Sequence, residues 1–402
     1  MTDNVDVVVI GSGPLGSSTA FYLASEGRNV ALVDKAEIGS QMSSRAAGLT
    51  RQVRSTEMMT VLGGRAIEKF ERFTEETGEP LEFIQAGSLT LARTPEHASL
   101  MRGATERAQY LGLDVKEISP QEARAMMPLL ETQGILAVGF ARKDIYTEPA
   151  QLAPAYARAA ARRGAMLLPN TEVHELVVES GVVSRVVTGR GEIRTTAVVD
   201  AAGGWLRLVA GLAGACVPEV ARLHHMMISV SLPQAVSPQP VVHILDANAY
   251  VRSDQGGLMF GGYEDLPRQL GPGEALRNLS GEHLQADLSA ARALVGRIHG
   301  QFPVLRDIAL RECRSDLTTT TVDCDHIFGP APSVKGLYVL GGRDIDGFSI
   351  SPVLGELLAH WIVTGQAPMD LSSMNPARFA ANLCDTEMIK QTGRLYANYY
   401  AA

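Results

Sequence analysis

The stretch VDVVVIGSGPLGSSTAFYLASEGRNVALVD, residues 5–34, decides the fold. Its β-branched run Val7–Ile10 has the composition of a buried parallel strand. Gly11, Gly13 and Gly16 follow as G-x-G-x-x-G around Pro14 and Leu15, and a helix continues through Ala20, Leu23 and Ala24. Gly27 ends that helix, because glycine takes the left-handed C′ conformation at little cost. A second strand, Val30–Val33, closes on Asp34, about twenty residues past the glycines. In such a unit the first glycine permits a tight turn, the second lets the backbone approach a pyrophosphate, and the third lets helix and strand pack closely. The helix N-terminus offers free N–H groups and partial positive charge to that pyrophosphate. Asp34, with Lys35 beside it, stands where a ribose hydroxyl pair is accepted, and its charge would repel a 2′-phosphate. An ordinary βαβ unit with glycine-rich turns is the plain alternative. The strand, helix, second strand and acid at their required spacing favour a dinucleotide site.

Composition narrows the classes. A chain of 402 residues has room for two domains and a sizeable core. Its 46% hydrophobic and 20% charged residues are ordinary for a globular enzyme. A net charge of −8 without a basic cluster argues against nucleic acid or an anionic membrane as partner. The N-terminus enters a strand at once, without the pattern of a signal peptide, and no apolar run reaches membrane-spanning length. Cys216, Cys313, Cys324 and Cys384 show no C-x-x-C spacing. They read as free thiols of a cytoplasmic protein, with no metal site.

Further along, IGSQMSSRAAGLTRQVRSTEMM (residues 38–59) sets Arg45, Arg51 and Arg54 in a small-residue loop before a helix expected over 56–74. Three arginines there suggest anion contacts; surface solvation is the alternative. Short strands (88–92) and a helix (95–111) follow, and Thr147 is placed to cap a helix ending at Gly164. Strands are expected at 172–178, which includes Val173, at 182–188 and at 193–199. The last runs into VVDAAGGW (198–205), whose Ala202, Gly203 and Trp205 suit close approach to a ligand. Strands at 224–232, 241–245, 249–252 and 258–261, with a helix over 281–300, read as an antiparallel sheet under a covering helix. A final strand, 336–340, leads through GGRDIDGFSIS (341–351) into a helix over 352–364, with Ser351 as N-cap and Pro352 first in the helix. The fold class is therefore mixed: a Rossmann-type α/β unit interleaved with an antiparallel-sheet α+β unit.

Three stretches add a resemblance: SSRAAGLTRQVR (43–54), YVRSDQGGLMFGGYE (250–264) and residues 336–379 from GLYVLGGRDIDGFSIS onward. With the N-terminal motif, they make the chain to about Phe379 resemble the FAD-dependent amine and amino-acid oxidoreductases of the glycine oxidase and sarcosine oxidase type. The nearest likeness is to the FAD-binding half of sarcosine and dimethylglycine dehydrogenases. The resemblance implies a discontinuous FAD-binding domain (1–80, 147–220, 325–379), a substrate-binding domain (81–146, 221–324) and an added tail (380–402). It implies flavin contacts from Gly11, Gly13, Pro14, Leu15, Gly16, Asp34, Lys35, Ser43, Ser44, Arg45, Ala47, Gly48, Leu49, Arg51, Val173, Ala202, Gly203, Trp205, Gly342, Arg343, Asp346, Gly347, Phe348 and Ser349.

Departures from the family pattern shape the expected chemistry. Arg45 stands where dimethylglycine dehydrogenases carry a flavin-linking histidine. The segment after Cys313, TTTTVD (318–323), departs from the sarcosine oxidase pattern, so FAD is expected to be noncovalent. The substrate-binding lysine of sarcosine oxidase is matched by Ser349, and its oxygen-activating lysine by Met259, which implies a dehydrogenase. By resemblance Arg54 clamps a substrate carboxylate, His225 and Tyr250 orient or deprotonate the amine, and Asp346 anchors a substrate cation. The helix after Ser351 would aim its positive end at the flavin. The expected reaction is oxidation of the C–N bond of a small amine or amino acid, N-methyl or secondary substrates first. The alternatives are a primary D-amino acid or opine as substrate, or a flavin-bearing subunit handing electrons to a partner. A homo-oligomer or an electron-acceptor partner is therefore among the expectations.

Overall fold

The computed structural model describes residues 3–235, 238–265, 267–270, 274–281, 284, 287–343, 346–379, 385–397 and 399–400. Ile345 of the flavin loop and Cys384 lie outside them.

A six-stranded sheet carries the N-terminal motif. Its order is Met166–Leu168, Val30–Val33, Val7–Ile10, Val198–Asp200, Leu337–Gly342 and His326–Pro330. Neighbours run parallel except the last pair. Both faces are covered, so these strands are apolar without alternation. Val7, Val9, Val30 and Leu32 pack beneath the helices Pro14–Ser25, Leu152–Arg162 and Ser351–Thr364. Val8, Ile10, Ala31 and Val33 face the opposite cluster, which includes Leu176, Val183 and Val186 of a small four-stranded sheet. Gly16 explains how closely the first helix sits. A Cβ there would lie 1.8 Å from the carbonyl oxygen of Gly11.

The second large sheet has nine strands, with Glu219–Ser229 at its centre of pairing. That strand joins Gly257–Gly262 on one side and the long strand Leu310–Thr321 on the other, both antiparallel. Antiparallel pairing is broken once, where Val241–Ile244 lies parallel to Ser88–Ala92. The outer face, with Met227, Val251, Leu258 and Phe260, is covered by Ala291, Leu294 and Ile298 of the helix Leu288–Ile298. The inner face carries Met226, Ile228, Tyr250 and Met259 against Ala47. Met259 is thus fully buried beside the 43–54 loop.

Several local expectations are corrected. Thr147 caps no helix: it ends the strand Ile145–Thr147, pairs with Phe83 and donates its hydroxyl to the Glu82 carbonyl. The helix after it begins at Leu152. The expected strand 193–199 is two strands, Gly191–Arg194 and Val198–Asp200. Thr195 separates them by donating to the carbonyls of Asp6 and Ala197. The helix expected over 281–300 spans Leu288–Ile298, capped by Asp287 accepting from Ser289 N. The helix over 56–74 is Glu57–Glu71, followed by a short helix Phe73–Thr77. Ser351 is not an N-cap. Ile350 holds that position, and the Ser351 hydroxyl donates to the carbonyl of Phe348 in the preceding turn, Asp346–Ser349. The tail is not a loose polar extension. Its helix Asp385–Ala397 docks on the strands Glu219–Ser229 and Leu310–Thr321, and Tyr396 and Tyr399 are buried.

Candidate active site

A cavity of about 230 Å³ runs across the C-terminal ends of the parallel strands. At its middle lies the N-terminus of the helix Pro14–Ser25, where Gly13 is the cap residue and makes no side-chain capping bond. The amides of the first helical turn have no intrahelical partner, which leaves them for an anion. At one end are Val33, Asp34, Lys35, Val173 and the Ala202–Trp205 turn; at the other are Gly342, Gly347 and Phe348. Uncapped amides, a carboxylate at the second strand's end and mainly apolar walls fit a dinucleotide such as FAD. Asp34 is also structural, since it accepts from Ser12 N (2.7 Å), Ser12 Oγ (2.6 Å) and Ala36 N (2.9 Å). Lys35 Nζ sits 4.0 Å over the Trp205 ring and donates to the carbonyls of Arg277 and Leu279.

Of the expected flavin contacts, Gly11, Gly13, Pro14, Leu15, Ser43 and those at each end just named line this cavity. Gly16 packs the helix, as described. Ser44 is turned back onto the carbonyls of Ser40 and Gln41. Arg45 donates to the Ser315 carbonyl at 2.9 Å. Sequence reasoning missed Asp316, Leu317, Thr318 and Thr319, which wall the cavity from the long strand. Their alternation of a carboxyl with hydroxyls was the available signal. Cys313 packs partly buried with the outer-face cluster, and burial pushes its thiol up.

Two further cavities adjoin the small-residue loop that carries Arg51 and Arg54. A small inner one, about 30 Å³, is lined by Ala47, Gly48, Leu49, Arg51, Arg54, His243, Asp346, Phe348, Tyr399 and Tyr400. A vestibule of about 340 Å³ shares Arg51, Arg54, Tyr399 and Tyr400 with it and adds Met101, Phe140, Leu245 and Arg343.

Asp346 organises this region. Its carboxylate pairs with Arg54 Nη1, accepts from Tyr399 Oη at 2.9 Å and meets Arg343 Nε at 3.2 Å. Burial alone would raise its pKa, but Arg54 and Arg343 outweigh burial and hold it well below the usual carboxylate range. Arg54 is engaged at all three nitrogens, to Asp346, to Ser349 Oγ (2.8 Å) and to the Arg51 carbonyl (3.0 Å). Ser349 lies buried between Arg54 and the Asp346 carbonyl. Arg343 is likewise engaged, by Asp325, Cys324 O, Ser55 Oγ and Asp346. Arg51 differs. Among the described residues its guanidinium has no hydrogen-bond or ion-pair partner, and its Cζ lies 5.2 Å from the centre of the Tyr400 ring.

The expected pair His225 and Tyr250 lines none of these three cavities. His225 shares the outer face with Met227, and its Nδ1 is 2.5 Å from Glu264 Oε1. The inward histidine is His224, between the hydroxyls of Tyr396 (2.9 Å) and Tyr250 (3.3 Å), with its pKa driven by burial down to about 3. Tyr250 lies over Gly261, where a Cβ would come 2.3 Å from its hydroxyl. The histidine at the inner cavity is His243, missed in the sequence. Its Nδ1 is 2.9 Å from Tyr400 Oη, and its buried Nε2 has no partner among the described residues. Burial, then Arg51 and Arg54, hold it neutral. Among the described residues no cluster of His, Cys, Asp or Glu could hold a metal, and no helix is long and apolar enough to cross a membrane.

Comparison with known proteins places this geometry. A family model described as FAD dependent oxidoreductase matches residues 6–361. The 4-methylaminobutanoate oxidase (formaldehyde-forming) of Paenarthrobacter nicotinovorans is 27% identical over 99% of this chain and 49% of its own length. Mitochondrial dimethylglycine dehydrogenase of Rattus norvegicus is 28% identical over 94% of this chain and 45% of its own. The chain thus spans about half the length of these curated relatives. Among solved structures, L-proline dehydrogenase from P. horikoshii superposes with a TM-score of 0.85 at 26% identity, covering 94% of this chain and 98% of that one.

Asp316 yields a pH test. Burial pushes its carboxyl up to about 7, with the Leu317 amide and Arg45 offsetting only part. Unfolded, the group ionises near its ordinary value of about 3.9. Between those values the folded chain binds more protons, so this group's contribution to stability falls as pH rises through the window. Asp316→Asn keeps the acceptor for Leu317 N. It should therefore raise Tm above the parent more at pH 8 than at pH 5, in thermal melts of the FAD-loaded protein. A larger gain at pH 5 would contradict the assignment.

Proposed function

This chain belongs to the FAD-dependent oxidoreductase family, and from that premise we propose that it oxidises the C–N bond of a small anionic amine or amino acid. N-methyl and secondary amino acids are favoured over primary D-amino acids, and the imine product is hydrolysed by water. The observation that carries this reading is Arg51, a guanidinium lining both inner cavities without a hydrogen-bond partner among the described residues. Its planar fork suits a carboxylate.

The reading assigns roles to this chain's own residues. FAD, when bound, supplies the hydride acceptor. The amides after Gly13 would hold its pyrophosphate, Asp34 its ribose, and Gly342, Gly347 and Phe348 would border its ring. Arg54, bonded to Asp346, Ser349 and the Arg51 carbonyl, leaves the anion-binding role to Arg51 and positions the loop. Asp346, enclosed by three donors, is a structural anion rather than a free anchor for a substrate cation. The amine must be neutral to lose hydride, because an ammonium has no lone pair to drive the departure. Neutral His243 hydrogen-bonds in the same cavity without adding a charge beside Arg51. The substrate, an oligomer or an electron-acceptor partner belong to this proposal equally. Supporting a partner other than oxygen, Lys35 is the sole lysine lining the three cavities among the described residues.

The test is an anaerobic screen of N-methyl, cyclic and D-amino acids for bleaching of the flavin spectrum. Bleaching by an anionic secondary amine is expected, with faster recolouring by a quinone or dye than by air. A protein that no amine bleaches would defeat the reading. FAD is proposed to be noncovalent, since Cys313 packs on the outer face and Arg45 offers no linkage. Acid precipitation should leave the yellow colour in the supernatant; colour in the pellet that Cys313→Ala abolishes would refute this.

A further inference from the structure

The tail beyond the family match carries two tyrosines, Tyr399 and Tyr400, that border both the inner cavity and the vestibule. Each ring is fixed from several sides. Tyr399 stacks on Tyr263 with centroids 4.3 Å apart and 12° between planes, while its hydroxyl donates to Asp346. Tyr400 donates its amide N–H to Asn248 Oδ1 at 3.1 Å, and Asn248 Nδ2 returns a bond to the Ala397 carbonyl. Its hydroxyl meets His243, and Arg51 Cζ lies over its ring, 5.2 Å from the centroid. A guanidinium in cation–π contact with a ring still has its N–H groups to donate to an anion.

We propose that Tyr399 and Tyr400 complete the substrate site, as the wall that sets how large a substituent the amine can carry. The inference rests on the reading of these cavities as the substrate site. An anion held by Arg51 faces about 30 Å³ on the inner side and about 340 Å³ on the other, with Tyr400 at the division. The vestibule beyond sets the apolar side chains of Leu100, Met101, Phe140 and Leu245 beside Arg107 and Arg343. The space behind the ring has room for about one water-sized group, and a bulkier substituent on that side collides with the ring. Removing the ring joins the two spaces. Shortening it to phenylalanine keeps the wall and the cover on Arg51 and loses only the bond to His243.

The test uses the FAD-loaded full chain and two carboxylates, acetate and phenylacetate, with Kd read from perturbation of the flavin absorbance. Tyr400→Ala should shift the Kd ratio toward phenylacetate by about tenfold or more, the scale at which pocket contacts discriminate apolar groups. Tyr400→Phe should leave the ratio in place. If Tyr400→Ala does not retain flavin, Tyr400→Leu carries the same expectation in a smaller measure. An unchanged ratio in Tyr400→Ala, or in Tyr400→Leu where that variant replaces it, overturns the proposal. Arg51→Ala separates this failure from failure of the site itself. Weakened binding of both acids in Arg51→Ala, with no change of ratio at Tyr400, removes only the tyrosine wall. Unweakened binding in Arg51→Ala removes the substrate-site reading, and the wall with it.

Discussion

The buried ion pair between Arg54 and Asp346 is the constraint on which the site depends. Both side chains are almost fully buried, so neither charge could stand there alone. Deleting one member of such a pair strands the other and costs about 3–5 kcal/mol. The pair also joins three parts of the chain that are far apart in sequence. Arg54 ends the small-residue loop 43–54, Asp346 opens the turn after the last parallel strand, and Tyr399 closes the ring from the tail. Arg343, at a left-handed φ of 61°, adds a third contact to the carboxylate and ties Asp325 in.

This pairing decides which arginine is left over. Arg51 and Arg54 are three residues apart in one loop and border the same cavities. Arg54 spends its donors on Asp346, Ser349 and a backbone carbonyl. Arg51 keeps its donors and has an aromatic ring beneath it. The pocket is thereby divided into a structural ion pair and, among the described residues, one guanidinium without any hydrogen-bond partner, Arg51, while Arg107 of the vestibule bonds only the Arg54 carbonyl. Burial first, and then the two neighbouring guanidinium groups, keep His243 neutral.

How much was legible in the sequence follows from the range of each signal. The dinucleotide half was readable because its signals are local. Val7–Ile10, the glycine spacing and the stop at Asp34 all lie within one βαβ unit. The second sheet was readable as strands, yet not residue by residue. Adjacent residues on a strand face opposite ways, so choosing His225 over His224 reversed the face. His243 carried no local sign of function, since its neighbours Arg51 and Tyr400 come from remote segments. The tail was legible only as polar and rich in tyrosine. Its docking depends on Tyr263, Asn248 and Asp346, which no periodicity in residues 385–400 reveals. The competition for Arg54 likewise exists only after folding brings Asp346 and Ser349 to it.

The central claim, that the Arg54–Asp346 ion pair leaves the Arg51 guanidinium without a hydrogen-bond partner among the described residues, can be seen directly. A crystal structure of the FAD-loaded protein with acetate should place the carboxylate against the in-plane nitrogens of Arg51, with Arg54 still on Asp346 and Ser349. Acetate bound to Arg54 with the Asp346 pair broken would contradict the account.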